Sequence, residues 1–304
     1  MKVGKSMKHL GLKLASAASI LMAAPGFAQD LSNLEVVGIP EQDGLWWQPA
    51  VTEVARDIYS YEAFLFWLIT IISAFVMVLL LICLVRYNKR ANKTPATFTH
   101  NTKIEVAWTI IPVFILLAML PPSLKLLNKQ MIIPEADVTI KAIGNQWYWT
   151  HEYVDHGFGF DSIMLQKDEL ADHGYGEDTY LLATDTAVVV PVNKTVVVQV
   201  TGADVIHAWT IPSFGVKQDA VPGRLAELWF KAEKEGVYFG QCSELCGKDH
   251  SYMPITVKVV SQEVYEEWLD NAIAEYAGIP RVKPDVQTAQ LGLTLVTQEE
   301  AKAN

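Results

Sequence analysis

Cysteine is scarce in this sequence: three residues in 304, at positions 83, 242 and 246. So small a number excludes a scaffold stapled by several disulfides. Basic residues are also short, 24 Lys and Arg against 34 Asp and Glu for a net charge of −10. That balance lacks the basic footprint of a nucleic-acid partner. Charge is missing altogether from two long stretches, and acid is missing from residues 86–104 between them. Between Asp137 and Val260 no helical pattern is long enough to cross over between parallel strands, which excludes a doubly wound α/β domain there.

What is present comes in blocks. Lys2, Lys5, Lys8 and Lys13 precede "LASAASILMAA", and Gly26 and Ala28 supply a small-residue exit. A basic start, a short apolar centre and small residues read as a secretory signal over 1–28, cleaved after Ala28. "AFLFWLITIISAFVMVLLLICLV" (Ala63–Val85) is uncharged. At ~1.5 Å per residue it reaches about 33 Å, enough for a hydrocarbon core of about 30 Å. "VAWTIIPVFILLAMLPPSLKLL" (Val106–Leu127) is uncharged until Lys125. Its prolines are ones a membrane helix tolerates. Together they predict a transmembrane hairpin over 63–127. The stretch 86–103 carries Arg86, Lys89, Arg90, Lys93 and Lys103 without an acid, so the positive-inside rule places the loop 86–105 in the cytoplasm. Both termini, the segment 29–62 included, then lie outside a bacterial inner membrane. Lone Cys83 falls within the first span, where packing explains it.

From 128 to 260 the pattern changes. "DVTIKAIGNQWYW", "AVVVPVNKTVVVQVTG", "LAELWFKA", "GVYFGQ" and "ITVKVV" are short, β-branched and aromatic, which predicts strands. Val196, Val198 and Val200 share one face, as do Leu228 and Phe230. "PVNK" reads as a hairpin turn, and Trp147 and Trp149 read as one face of a single strand with Tyr148 on the other. The expectation is an antiparallel sandwich or small barrel. "KDELADHGYGEDTY" reads as a surface excursion, 261–278 as a terminal helix, and the tail 279–304 has no period.

Chemistry concentrates in "GQCSELCGKDHSYMPI", residues 240–255, which holds Cys242, Cys246, His250 and Met253. A disulfide suits an exported domain but leaves the neighbours unexplained. Zinc would use the thiolates and imidazoles and leave Met253 surplus, because a thioether is a soft donor associated with copper. His207 in "DVIHAW" begins another predicted strand and supplies a second imidazole. A mononuclear blue-copper site takes two His, one Cys and an axial Met, so one cysteine is left over. Two ions resolve the count: both thiolates bridge, each ion receives one histidine, and Met253 and a backbone carbonyl between the cysteines take the weak axial positions. Such a centre moves single electrons and breaks no substrate bond.

The loop resembles the binuclear copper (CuA) loop of subunit II of haem–copper cytochrome c oxidases. The likeness extends to "AIGNQWYW", "DVIHAW", "VKQDAVPGR" and the two-span hairpin, and the signal segment and acidic composition are similar to alphaproteobacterial members. The resemblance implies a cupredoxin-like β-barrel on a helical hairpin. It makes His207, Cys242, Glu244 (through its carbonyl), Cys246, His250 and Met253 copper ligands, and gives the Glu244 carboxylate a magnesium ion shared with subunit I. Trp147 becomes the exposed ring where cytochrome c hands over its electron, bound for haem in subunit I and proton-pumping oxygen reduction. Other oxidase subunits and membrane lipid are implied partners, and nucleic acid is not.

Acids accompany these motifs. Glu152, Asp155, Asp161, Asp185 and Asp204 fall in loops or strand ends, and a single surface acid is ordinarily just solvated. As a group they form a field that steers a basic partner. Glu152, Asp161, Asp185 and Asp204 match acidic positions of the family. Thr102 and Glu105 in "TKIE" read as a capping box at the start of the second span, while the family places a glutamate there near a proton-uptake route. Three other protein classes share parts of this pattern. A quinol oxidase subunit II would lack the cysteines and histidines, and nitrous oxide reductase needs a further catalytic domain. A membrane-anchored copper chaperone or zinc module would bind a single ion.

Overall fold

The computed structural model describes residues 31, 33–94 and 96–277. The expected signal segment 1–28 and tail 279–304 lie outside the described residues.

The two apolar runs form helices that continue past them, α1 (Glu53–Arg86) and α2 (Thr102–Met131). At ~1.5 Å per residue they measure about 51 and 45 Å, so each exceeds the membrane core. Both are long and apolar enough to cross a membrane, and among the described residues none buries the spanning windows. Thr52 starts α1: its hydroxyl accepts from the Ala55 amide at 3.0 Å and donates to the Phe214 carbonyl at 2.8 Å.

The capping box expected at Thr102 is corrected. The cap of α2 is Asn101, whose side-chain oxygen accepts from the Lys103 and Ile104 amides at 3.2 and 3.4 Å. Asparagine presents its acceptor in the extended conformation that a cap requires, and Thr102 is already helical. Glu105 therefore sits one position too deep to close the box. It remains in the first turn, where the helix dipole favours an acid.

The domain-facing ends of both helices are fastened to the β-structure. Lys129 Nζ lies 2.6 Å from both Glu53 and Asp57 carboxylates, and Arg56 pairs with Glu233 at 2.9 Å. Trp229 Nε1 donates to the Lys129 carbonyl at 3.2 Å. Gly215 (φ +68°) lets this junction close: a Cβ there would stand 2.7 Å from the Ala55 Cα.

After the short strand β1 (Val36–Gly38), the exported domain is built from ten more. They are β2 (Val138–Asn145), β3 (Tyr148–Tyr153), β4 (Phe158–Ser162), β5 (Val188–Pro191) and β6 (Val196–Gly202), then β7 (His207–Ile211), β8 (Val216–Ala220), β9 (Ala226–Phe230), β10 (Gly236–Gln241) and β11 (Pro254–Val260). One sheet runs β1-β10-β11-β5, the facing one β4-β3-β2-β6-β9, and β7-β8 form a ribbon. Val196, Val198, Val200, Leu228 and Phe230 are buried between them, as their alternation predicted.

Three readings change. The sheets are mixed, because β1–β10, β2–β6 and β5–β11 pair in parallel. Parallel neighbours need no helical crossover here, since the chain returns through the opposite sheet. For the same reason "PVNK" is no hairpin: β5 pairs with β11 and β6 with β2 and β9, so the turn is a corner between sheets. "GNQWYW" is two strands and a turn. β2 ends at Asn145 opposite Tyr148, leaving Trp147 in the turn, half-buried, while Trp149 on β3 is fully buried.

The insertion 167–180 is largely exposed but anchored by buried Leu170 and Thr179. The terminal helix α3 (Gln262–Ala272) is capped by Ser261 and runs into a π-turn over Ile273–Ala277. Its inward residues are Tyr265, Leu269 and Ala272, and Trp268 reaches the Tyr153 ring at 5.2 Å.

Candidate metal centre

β10 and β11 are antiparallel neighbours with Gln241 opposite Pro254. That register sets the two ends of the loop 242–253 side by side, with Cys242 directly after one strand and Met253 directly before the other. Strand β7 brings His207 beneath the loop, and the Ser243 amide donates to the Ala208 carbonyl at 3.1 Å to hold the two together. Gly144 on β2 makes room for the imidazole, because a Cβ there would lie 2.7 Å from the His207 ring.

The donors converge. Cys242 Sγ and Cys246 Sγ are 3.9 Å apart and unbonded, and both are buried. His207 Nδ1 lies 3.9 Å from Cys242 Sγ, and His250 Nδ1 lies 3.5 Å from Cys246 Sγ. Met253 Sδ is 3.5 Å from Cys246 Sγ, and the Glu244 carbonyl oxygen is 3.3 Å from Cys242 Sγ. Donor atoms of His207, Cys242 and Cys246 all fall within 4.8 Å of one another. Metal–thiolate bonds measure about 2.3 Å, so two sulfurs at this separation can share an ion. Each sulfur has its own imidazole and one weaker donor beside it, an arrangement that fits soft metal chemistry.

Electrostatics favour a cation. Burial pushes the Cys242 thiol up, but contacts with His207 and the backbone of Glu244 and Ala208 outweigh it and bring the group down to about 7. Cys246 goes the other way, to about 12, through burial and the charge of Cys242 beside it. One thiolate forms readily and its neighbour resists a second negative charge until a metal supplies the compensation.

Around the donors the structure places several further residues. Asp204 Oδ1 accepts from His207 Nε2 at 2.9 Å, which directs Nδ1 toward the sulfurs. Asp204 also accepts from the amides of Gln146 and Val205. Burial raises its carboxyl, but His207 and the two amides prevail and hold it below its ordinary value. Sequence reasoning saw Asp204 only as a surface acid, although its place three residues before His207 was a signal. Trp147 Nε1 and Gln146 Nε2 donate to the Cys246 carbonyl at 3.3 and 2.8 Å. The indole therefore touches the metal loop directly, and Gln146 is a contact that sequence reasoning missed.

The remaining acids stand apart from the donors. Glu152 pairs with Lys141 at 2.9 Å, Asp161 accepts from Thr150 at 2.6 Å, and Asp185 accepts from the Ile163 and Thr186 amides. Asp155 accepts from the Thr139 amide at 2.9 Å. The Glu244 side chain is exposed at the loop surface. Glu105 lies at the far end of α2, about 36 Å along the helix from Lys129 at ~1.5 Å per residue, and is not brought to this centre.

Comparison with known proteins agrees with this architecture. Residues 138–260 match the family profile for the periplasmic domain of cytochrome c oxidase subunit II, and residues 40–126 match its transmembrane domain. Cytochrome c oxidase subunit 2 of Cereibacter sphaeroides is 52% identical over 272 residues, covering 85% of this chain and 90% of the relative. The subunit 2 of Arabidopsis thaliana is 39% identical over 241 residues, covering 77% and 91%. Among solved structures, the periplasmic domain of subunit II of cytochrome oxidase of Bradyrhizobium japonicum has 52% identity and a TM-score of 0.43, covering 48% of this chain and 99% of that one. The chain belongs to the cytochrome c oxidase subunit II family, as a membrane-anchored, two-pass subunit of a cytochrome c oxidase with a candidate metal site built from His207, Cys242 and Cys246.

Proposed function

We propose that this subunit accepts single electrons from a c-type cytochrome at a binuclear copper centre and passes them to haem in subunit I, where oxygen is reduced with proton pumping. The observation that carries this reading is the paired donor set. Two unbonded sulfurs 3.9 Å apart each have one imidazole nearby, and a thioether and a carbonyl complete the shell. His207, Cys242, Cys246, His250, Met253 and the Glu244 carbonyl would hold two copper ions. When bound, the pair supplies one-electron acceptance with charge spread over both metals.

The protein's own residues do the rest. β7, β10 and β11 hold the donors in a rigid frame, so little rearrangement accompanies a change of charge. Asp204 fixes the tautomer of His207. Trp147, half-exposed and bonded to the Cys246 carbonyl, offers a π-system between a docked donor and the copper loop. Glu152, Asp161, Asp185 and Asp204 contribute a negative field that draws a basic donor, with docking that weakens as salt rises. The exposed Glu244 carboxylate suits a magnesium ion shared with subunit I. α1 and α2 cross the bacterial inner membrane among lipid, with the loop 86–105 cytoplasmic and both termini periplasmic, and Glu105 stands on the cytoplasmic side toward proton uptake.

Electron paramagnetic resonance of the oxidised, copper-loaded protein tests this. Hyperfine structure shared equally by two copper nuclei, with two coppers per chain by metal analysis, is expected. A signal localised on a single Cu(II), or one zinc per chain, would overturn it.

A further inference from the structure

We infer that Lys248 is a specificity-determining residue for the electron donor: a positive charge on the face of the Trp147 indole that disfavours donors presenting a cation at the centre of their contact surface. The inference rests on the proposed role of Trp147. Its observations are local. Lys248 Nζ stands 5.7 Å from the centroid of the Trp147 ring, within cation–π range. The ring is held in place on one side, where its Nε1 donates to the Cys246 carbonyl. Gly247 presses against its edge, where a Cβ would fall 2.9 Å from Trp147 Cζ2. Gly247 also carries φ +126°, a conformation that favours glycine. Lys248 pairs with Asp249 at only 3.5 Å and its side chain is 78% exposed, so its charge projects into the space a docking partner must occupy.

A surface with a cation on the proposed entry ring is not uniformly attractive to a basic protein. Lysines away from the ring are drawn by the acidic field of the domain, while a lysine brought against the ring meets Lys248 at close range. The pattern selects donors whose haem edge is ringed by positive charge and whose central contact is apolar or acidic. It also requires the ammonium to swing off the indole face before close contact, which adds a charge-dependent step to association.

The test uses the assembled oxidase reduced by a lysine-rich c-type cytochrome in stopped flow at low ionic strength. Lys248→Gln is expected to raise the second-order rate about two- to fivefold, Lys248→Glu to raise it more, and Lys248→Arg to leave it near wild type. All gains should shrink as salt shortens the Debye length. An acidic c-type cytochrome should give the reverse order. Wild-type rates and salt slopes in Lys248→Gln and Lys248→Glu, with Trp147→Phe still strongly slowed, would overturn the role of Lys248 and leave admission through Trp147 standing. A wild-type rate in Trp147→Phe would remove the site itself and the inference with it. Loss of the copper absorption band in Lys248→Gln would make the residue a structural part of the loop, and would also overturn the inference.

Discussion

The helical hairpin and the β-domain solve the same problem in opposite ways. In the β-domain the large side chains, Trp149, Trp209, Tyr153, Tyr238 and Phe214, are 1% exposed or less, covered by the chain's own strands. In α1 and α2 the apolar side chains of the spanning windows are left uncovered: Trp67, Phe75 and Phe114 are 62–65% exposed. The first region is folded by burial against itself, and the second is completed by a medium that is already apolar. A domain of the first kind can hold donor atoms within a few ångströms of each other. A hairpin of the second kind positions that domain at the membrane surface, through Arg56, Lys129 and Thr52.

Perturbing each region separately sharpens the contrast. The largest effect is expected for Cys246→Ser. It removes one shared sulfur, so copper content should fall to at most one ion per chain and electron acceptance should be lost. The circular dichroism of both the sheets and the helices should stay intact, because Cys246 lies in the loop. Metal analysis with spectroscopy reads the outcome.

Next is pH. His151 is fully buried between Ser162 Oγ (3.1 Å) and Trp209 Nε1 (3.3 Å), and burial depresses it to about 3. Below its ordinary value of ~6.5 the unfolded chain takes up a proton that the folded domain refuses. Stability present above that value is therefore lost as pH falls toward 3, at about 1.4 kcal/mol per pH unit. Denaturation followed by near-ultraviolet circular dichroism should show the slope between pH 6.5 and 4.5. His151→Phe should flatten it, and the hairpin helicity should not respond.

A charge in the hairpin comes third. Ile72→Lys in α1 should disfavour membrane integration by about 3 kcal/mol, read as the integrated fraction. The same change at Ile163, 51% exposed on the β-domain, should stay within about 0.5 kcal/mol. Smallest is the cap: Asn101→Ala should lower helix stability by about 1 kcal/mol and Thr102→Ala by less, measured by thermal loss of helicity.

Legibility followed the range of the interactions. The two spans were visible because a run of uncharged residues is sufficient to define them. The donor list was visible because four of its side chains lie within twelve consecutive residues, and His207 stood out as the other imidazole at a strand start. The misplaced cap at Thr102 reflects a choice between adjacent polar residues that a periodicity cannot resolve. "PVNK" was misread because a turn has the same composition whether it joins strands of one sheet or of two. Trp147 was placed on a strand because alternation in "QWYW" continues across the turn. Asp204 was read by its charge alone, since its bond to His207 depends on the chain curling before β7.

Composition and local pattern alone determined that there would be a membrane hairpin, an exported β-structure and a sulfur-rich loop able to bind soft metal, because each depends only on residues near one another in the chain. The tertiary structure decided the mixed sheets, the approach of His207 to Cys242, the seat of Trp147 on the Cys246 carbonyl and the hold of Asp204 on His207. Those contacts join segments up to 201 residues apart, as Val36 and Val237 are, and only the packing of two sheets, with glycine at the points of closest approach, brings them together.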